Sequence, residues 1–176
     1  MRIYYDTEFT SLDGNVDWDM ISAGFVTECG EEWYVEITDF LHEDCSPFVV
    51  ETVLPLLGKG DKIPERMPST HFAWRFCNWL ERFKEPIQLI SDHSVDWHII
   101  HSYCYAEFST FPAKVQGQVW VRSDQIEIQR ALVDVENAFW EQHPGMIHHA
   151  LYDARRLKLI ADTQREKHQA IFGRKS

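Results

Sequence analysis

Basic side chains are scarce in the first third of this sequence. Arg2 is the only one among residues 1–57, which carry thirteen acids. Residues 58–149 hold twelve acids and nine bases, residues 150–176 hold three acids and seven bases, and the net charge is −11. Non-specific duplex binding draws on many Lys and Arg contacts to phosphate, so this balance argues against it. Two routes to positive charge are left: cations bound in a carboxylate cluster, or the basic segment 150–176 acting as a phosphate track. Long apolar runs are missing too, and nothing approaches the roughly 20 residues of a membrane span. The opening MRIYYDTEFT puts acids where a signal peptide needs its apolar centre. We therefore expect no membrane partner and a cytoplasmic location. Cys29, Cys45, Cys77 and Cys104 stand far apart with no CxxC pair, which argues against a disulfide framework or a zinc knuckle. Internal repeats and low-complexity tracts are absent.

What is present fits a single folded domain. The chain has 176 residues, 44% apolar and 14% aromatic, enough for one hydrophobic core. Residues 3–5 (IYY) read as a short buried strand ending on Asp6. Residues 20–27 and 32–38 are β-rich and separated by Cys29-Gly30, a hairpin signal. Ser46-Pro47 opens a helix with Val49, Val50, Val53, Leu54 and Leu57 inward, bent at Pro55 and ended by Gly58. A polar loop covers 58–68. Ser69-Thr70 caps a helix whose inward stripe is Phe72, Phe76, Trp79, Leu80 and Phe83. Residues 87–90 (IQLI) read as a buried parallel strand. A helix over 94–106, a strand over 118–121, a helix over 124–141 and a helical segment from about 148 follow. The order βββ–α–α–β–α–β–α–α predicts an α/β layered domain with a mixed sheet.

Three acidic groupings fall where structure alone does not ask for them. Asp6 and Glu8, at i and i+2 on a strand, project from one face. Asp92 and Asp96 follow the strand IQLI, at the carboxyl end where open α/β sheets collect ligands. In HHALYDARR, His148 precedes Asp153 by five residues across a helix start. Each has a plain structural reading as well: a turn cap, an N-cap or dipole-stabilised first-turn acid, and a surface pair of Asp153 with Arg155 or Arg156. Taken together they are harder to dismiss. Four carboxylates meeting without a cation would repel strongly, whereas two divalent ions turn them into the arrangement of two-metal phosphoryl chemistry. Oxygen-only ligands favour Mg²⁺ or Mn²⁺ over zinc, and a neutral histidine is the natural base for the attacking water.

DTEFT at 6–10, the 92–96 pair before a helix and H-x4-D at 148–153 resemble the three motifs of the DEDDh 3′–5′ exonucleases, a superfamily with a ribonuclease H-like fold. YYDTEFT, the compact length and HHALYDARR are most similar to its ribonuclease AS branch of polyadenylate-specific exoribonucleases. The resemblance spans Asp6 to Asp153. It implies a mixed five-stranded sheet flanked by helices, its first three strands antiparallel, forming one exonuclease domain over 1–176. It implies that Asp6, Glu8, Asp96 and Asp153 hold two Mg²⁺ or Mn²⁺, with Asp6 touching both, and that His148 rather than His149 is the general base. Many members carry Asn where Asp92 stands, so Asp92 is a ligand, an orienting group for Asp96 or a cap. A homodimer is implied by the resemblance only.

The expected reaction is hydrolysis of single-stranded RNA from its 3′ end to nucleoside 5′-monophosphates, with adenylate-rich ends suggested by the branch. Thr7, Phe9 and Trp97 are the candidate substrate contacts; Phe9 and Trp97 directly follow metal candidates and offer stacking faces. Arg155, Arg156 and Lys158 are candidates for phosphates further along the strand. The alternatives are a DNA exonuclease on the same scaffold, a non-catalytic nucleic-acid-binding module, and a zinc hydrolase on His93, His98 and His101.

Overall fold

The computed structural model describes residues 1–11 and 18–173. Arg174 and Lys175, counted in the basic segment, lie outside them, as do Asp13 and Asp17. Three antiparallel strands come first: β1 (Arg2–Phe9), β2 (Met20–Thr27) and β3 (Glu32–Ile37). The β2–β3 turn falls at Cys29-Gly30 as predicted. Gly30 has φ +90°, which only glycine adopts freely, and its N–H donates to the Thr27 carbonyl at 3.0 Å. Then follow β4 (Glu65–Met67), parallel to β3, and β5 (Ile87–Ser91) and β6 (Val115–Val119), which extend the sheet in parallel beyond β1. The order across the sheet is β4-β3-β2-β1-β5-β6. Among the described residues the α-helices are α1 (Pro47–Thr52), α2 (Ser69–Glu81), α3 (Ser94–Phe108), α4 (Ile126–Gln142) and α5 (Ala150–Phe172). This is the mixed α/β sheet flanked by helices that the sequence predicts.

Six strands rather than five make the sheet. The additional β4 lies inside the segment read as a polar loop, where three residues between prolines carry no alternation. Its Arg66 is drawn to β3 by the buried Glu36 carboxylate at 3.0 Å. The last strand sits at 115–119, three residues before the predicted start. Of Trp120 and Val121, the apolar residues that suggested 118–121, the first keeps one bond to β5, from its N–H to the Ser91 carbonyl at 2.6 Å, and both lie beyond the strand's end at Val119. The first helix stops at Thr52 and continues only as a 3₁₀ turn over Leu54–Leu56, because Pro55 has no N–H to give. Val49 and Val53 are buried there, while Val50 is exposed.

Alternation along β1 sorts its side chains between two layers. Ile3 and Tyr5 join Phe25, Trp33, the α2 stripe Phe72, Phe76, Trp79 and Leu80, and Ile99, Ile100 and Cys104 of α3. Tyr4 faces the other way, with Ile90, Ile128 and Leu132 of α4, and Leu157, Ile160 and Ala161 of α5. Asp6 and Glu8 therefore emerge on the α4/α5 side, Thr7 on the α3 side.

The start of α5 presses onto the sheet at Gly24, the β2 partner of Asp6. A Cβ at Gly24 would stand 2.3 Å from the Leu151 Cα and 2.5 Å from the Ala150 carbonyl carbon. Those neighbours are backbone and cannot swing aside. The close approach holds His148 and Asp153 over the acids of β1. Gly24→Ala is expected to destabilise the protein by about 3 kcal/mol, as overpacking does where backbone must move. Urea unfolding measures the loss, and an unchanged midpoint would mean that α5 does not sit where this contact puts it.

Candidate active site

A cleft of about 330 Å³ opens at the carboxyl ends of β1 and β5, lined by Asp6, Thr7, Glu8, Phe9, His93, Asp96, His148, Asp153 and Arg156. Within it the acids form two groups. Oxygens of Asp6, Glu8 and Asp153 lie within 4.8 Å of one another, and so do oxygens of Asp6, Asp92 and Asp96. Asp6 belongs to both, so the arrangement suits two cations sharing one carboxylate. Asp92 stands among the possible ligands, although its carboxylate is also held by Arg156 Nη2.

Crowding of like charge in a dry place raises all four expected ligands. Burial, then Asp96, Asp153, Glu8 and Asp92, push Asp6 well above the usual carboxylate range. Burial, then Asp153 and Asp96, do the same to Glu8. Asp96 is pushed up to about 7, chiefly by burial and against the help of its hydrogen bonds from Thr7. Asp153 rises to about 6, again by burial, with Arg156 pulling the other way. One atom shows what is missing from this balance. Asp96 Oδ1 accepts from the Thr7 amide (3.1 Å) and hydroxyl (2.7 Å), while its Oδ2 is buried with no hydrogen-bond partner. An unsatisfied buried carboxylate oxygen costs about 1–3 kcal/mol or more, and a hard cation removes that cost. The all-oxygen donor set fits Mg²⁺ or Mn²⁺.

His148 stands at the rim. Its φ is +68°, a left-handed conformation that non-glycine residues rarely adopt, and its N–H donates to Asp153 Oδ2 at 2.9 Å. Strain of this kind persists where surrounding structure enforces it, typically at functional positions. The ring meets Phe48 edge-on with centroids 5.0 Å apart. Burial lowers its pKa, which keeps the imidazole neutral near pH 7. His149 lies beneath, buried between Tyr34 and Tyr152, with Nε2 3.2 Å from the Lys59 carbonyl oxygen.

Some expectations need correction. Thr7 lines the cleft, but it is buried and its hydroxyl donates to Asp96, so its side chain serves to orient that carboxylate. Trp97 turns away from the cleft; its ring lies over Gly117 and against Phe111, because residue 97 follows Asp96 by one helical step and faces the sheet. Phe9 does line the cleft, tilted against Trp18. The phosphate track does not stand free: Arg155 is forked to Glu32 and paired with Asp61, and Lys158 is paired with Asp162. Arg156 bridges Asp92, Glu136 and Asp153 as a counter-ion inside the site. His93 caps α3, His98 packs on Trp18 and His101 stacks on Phe111, so the three rings do not converge as a zinc site requires. The sequence offered Arg156 as a surface partner of Asp153 or as a phosphate contact; the pair exists, but it is largely buried inside the site. One participant went unnoticed: Phe48, which is 54% exposed beside His148 and which nothing in the sequence signals.

No protein-family model matches the chain, and no curated protein matches it. Solved structures do. The nuclease domain of 3'hExo, a DEDDh family member, bound to rAMP, superposes with a TM-score of 0.58 at 12% identity over 94% of this chain and 92% of that one. Cell-death related nuclease 4 (CRN-4) gives 0.56 at 14% identity, over 96% of this chain and 64% of that one. S. pombe Pop2p in its Mg²⁺ and Mn²⁺ bound form gives 0.53 at 16% identity, over 99% and 86%. At these identities the likeness is one of fold.

The raised carboxylates fix how metal-free protein responds to pH. Each binds its proton more tightly folded than unfolded, so the folded state is favoured at low pH. That contribution is complete below about pH 4 and is lost as pH rises through 6 and 7. Glu28, Glu65 and Glu136, held low by arginine partners, act oppositely and lose their contribution only as pH falls below about 4. Metal-free protein should therefore lose a few kcal/mol between pH 5 and 8, and Mn²⁺ should restore it; a flat Tm across that range in EDTA contradicts the cluster. Asp6→Asn should raise the Tm of metal-free protein at pH 8 and abolish its stabilisation by Mn²⁺, both read by thermal unfolding.

Proposed function

We propose that this chain is a metal-dependent 3′–5′ exoribonuclease that hydrolyses single-stranded RNA to nucleoside 5′-monophosphates. The observation that carries the reading is the doubled carboxylate set: two triads sharing Asp6, with His148 at their rim. Bound there, two divalent cations would supply charge stabilisation for the attacking and leaving oxygens of a phosphodiester. The protein's own part is positional. Asp6, Glu8, Asp96 and Asp153 hold the cations, Thr7 fixes Asp96, and Arg156 keeps Asp92 and Asp153 in place. His148, neutral at working pH, accepts the proton of the attacking water. The Asp153 hydrogen bond and the Phe48 ring fix the position of its backbone and imidazole.

A 330 Å³ cleft suits one terminal nucleotide rather than a duplex, and the overall negative charge disfavours duplex binding. Phe9 offers a stacking face on the cleft wall. The fold neighbours support the same reading: one is bound to rAMP and another to Mg²⁺ and Mn²⁺. The ribonuclease AS resemblance adds the expectation of adenylate preference.

The test is a time course with oligoadenylate, oligouridylate and oligodeoxyadenylate, labelled at either end, with Mn²⁺ or EDTA. Label at the 3′ end should appear first as mononucleotide, label at the 5′ end as a ladder shortening stepwise, and EDTA should stop both. Internal fragments, or activity that survives EDTA or Asp6→Ala, would refute the proposal. Faster cleavage of the deoxy strand moves the enzyme to DNA, and equal rates on the two RNAs remove the adenylate preference. His148→Asn should lower kcat about 100-fold or more while leaving Mn²⁺ affinity within about twofold. A collapse of Mn²⁺ affinity instead would make His148 a ligand rather than the base.

A further inference from the structure

The cleft is sized for one nucleotide, and Arg155 and Lys158, expected to meet phosphates beyond it, are held by carboxylates. Contacts to the rest of a strand must come from elsewhere on the surface. A second cavity, of about 350 Å³, lies on the same face of the sheet, toward the far end of α5. Alternation and register build its floor. Arg2 of β1 stands opposite Gln88 of β5, and Tyr4 opposite Ile90, which in turn stands opposite Gln118 of β6. These side chains share one face, and Trp120 joins them two residues after Gln118. The wall is α5, through Gln164, Arg165 and His168.

No acid among the described residues lines this cavity, although the chain carries 28 acids against 17 Lys and Arg. Its polar groups are largely unspent. The Gln88 and Gln118 side chains are exposed, and their amides have no hydrogen-bond partner among the described residues; neither do Trp120 Nε1 and the His168 ring nitrogens. Arg165 uses Nη2 alone, on the Tyr4 hydroxyl oxygen (2.7 Å) and Asp162 Oδ1 (2.8 Å), which leaves Nη1 and Nε without a partner among the described residues. Arg2 is paired with Glu28 at 2.7 Å and keeps its side chain 35% exposed. An indole to stack on, amides that both donate and accept, and a guanidinium for phosphate make the set by which single-stranded nucleic acids are held.

The two cavities are linked. Arg156, at the cleft, donates from Nη1 to Glu136 Oε1 at 2.8 Å, and Glu136 Oε2 accepts from Arg122 Nη2 at 2.8 Å. The Arg122 guanidinium in turn lies 5.8 Å from the Trp120 ring centroid. Along α5, Arg165 follows Arg156 by nine residues, about 14 Å of helix, which a few nucleotides span. We propose that the sheet-face cavity is a second, non-catalytic binding site, holding the upstream part of the single-stranded RNA whose 3′ end lies in the cleft. The inference rests on the proposed function and adds a dependence on substrate length. A short strand engages the cleft alone; a longer one engages both places, and the first contact raises the effective concentration for the second. A free phosphate or an acidic peptide would use Arg165 and leave the indole and the amides idle, which is why a nucleic acid strand is the occupant.

Initial rates on triadenylate and dodecaadenylate with Mn²⁺ test the proposal. KM should be about tenfold lower for the dodecanucleotide, the effect of roughly one stacked base. Gln88→Glu combined with Gln118→Glu puts acids on the cavity floor and should raise that KM about tenfold, while kcat and the trinucleotide KM stay within about twofold. Trp120→Ala should do the same. Because Trp120 also packs on the α4/α5 core, the glutamate pair, at exposed positions, decides the matter where the alanine variant fails to fold. Fluorescence anisotropy of labelled dodecaadenylate in EDTA, where no turnover occurs, should show a matching loss of affinity in both variants. Equal KM for the two lengths, with anisotropy unchanged by the glutamate pair, overturns the second site and leaves the proposed function standing. Protein that cleaves no RNA removes the proposed function, and the anisotropy then decides the second site by itself. Poly-glutamate that displaces the oligonucleotide as well as polyadenylate does would also overturn the second site.

Discussion

Repulsion among buried carboxylates is the constraint around which this molecule is arranged. Asp6 lies within reach of four other acids, in surroundings dry enough to hold its proton far above the ordinary range. Among the described residues that shift Asp6, every neighbouring charge is another acid. Arg156 is the cation placed inside the site, and it is shared among Asp92, Glu136 and Asp153. Thr7 satisfies one oxygen of Asp96 and leaves the other orphaned. On the proposed reading, divalent cations supply the charge that offsets this repulsion, and the two groups of acids that share Asp6 offer them two positions.

The fold supports this arrangement by bringing three distant segments together. β1 runs through the middle of the sheet and presents Asp6 and Glu8 by simple alternation. β5 beside it delivers Asp92 and the start of α3, whose first turn carries Asp96. The glycine at position 24 lets α5 touch the sheet and bring Asp153 over β1. His148 takes a strained backbone angle on the way into that helix, so stability is given up at the residue proposed to move the proton.

The convergence of these side chains was easier to read in the sequence than the exact strands of the sheet were. Asp6, Glu8, Asp96, Asp153 and His148 could be read because each sits at a recognisable joint: a strand end, a strand-to-helix turn, a helix entrance. Tertiary neighbours were invisible by comparison. Trp97 was read as a stacking face because it follows Asp96, yet the bare backbone of Gly117 on another strand gives its ring a place to lie. Arg155 and Lys158 looked like a phosphate track, and only the folded chain shows the carboxylates of Glu32, Asp61 and Asp162 occupying them. β4 escaped because three polar residues have no periodicity. β6 was placed late because Trp120 and Val121 outweigh the modest Val-Gln-Gly-Gln-Val. Phe48, fixed against His148 by a helix whose sequence says nothing of the cleft, could not have been found.

Anomalous diffraction from crystals grown with Mn²⁺ tests the central claim most directly. It should reveal two peaks within about 4 Å of each other, with Asp6 ligating both, Glu8 and Asp153 on one side and Asp96 on the other. A cleft free of anomalous signal at saturating Mn²⁺, with the acids still clustered, would contradict the account.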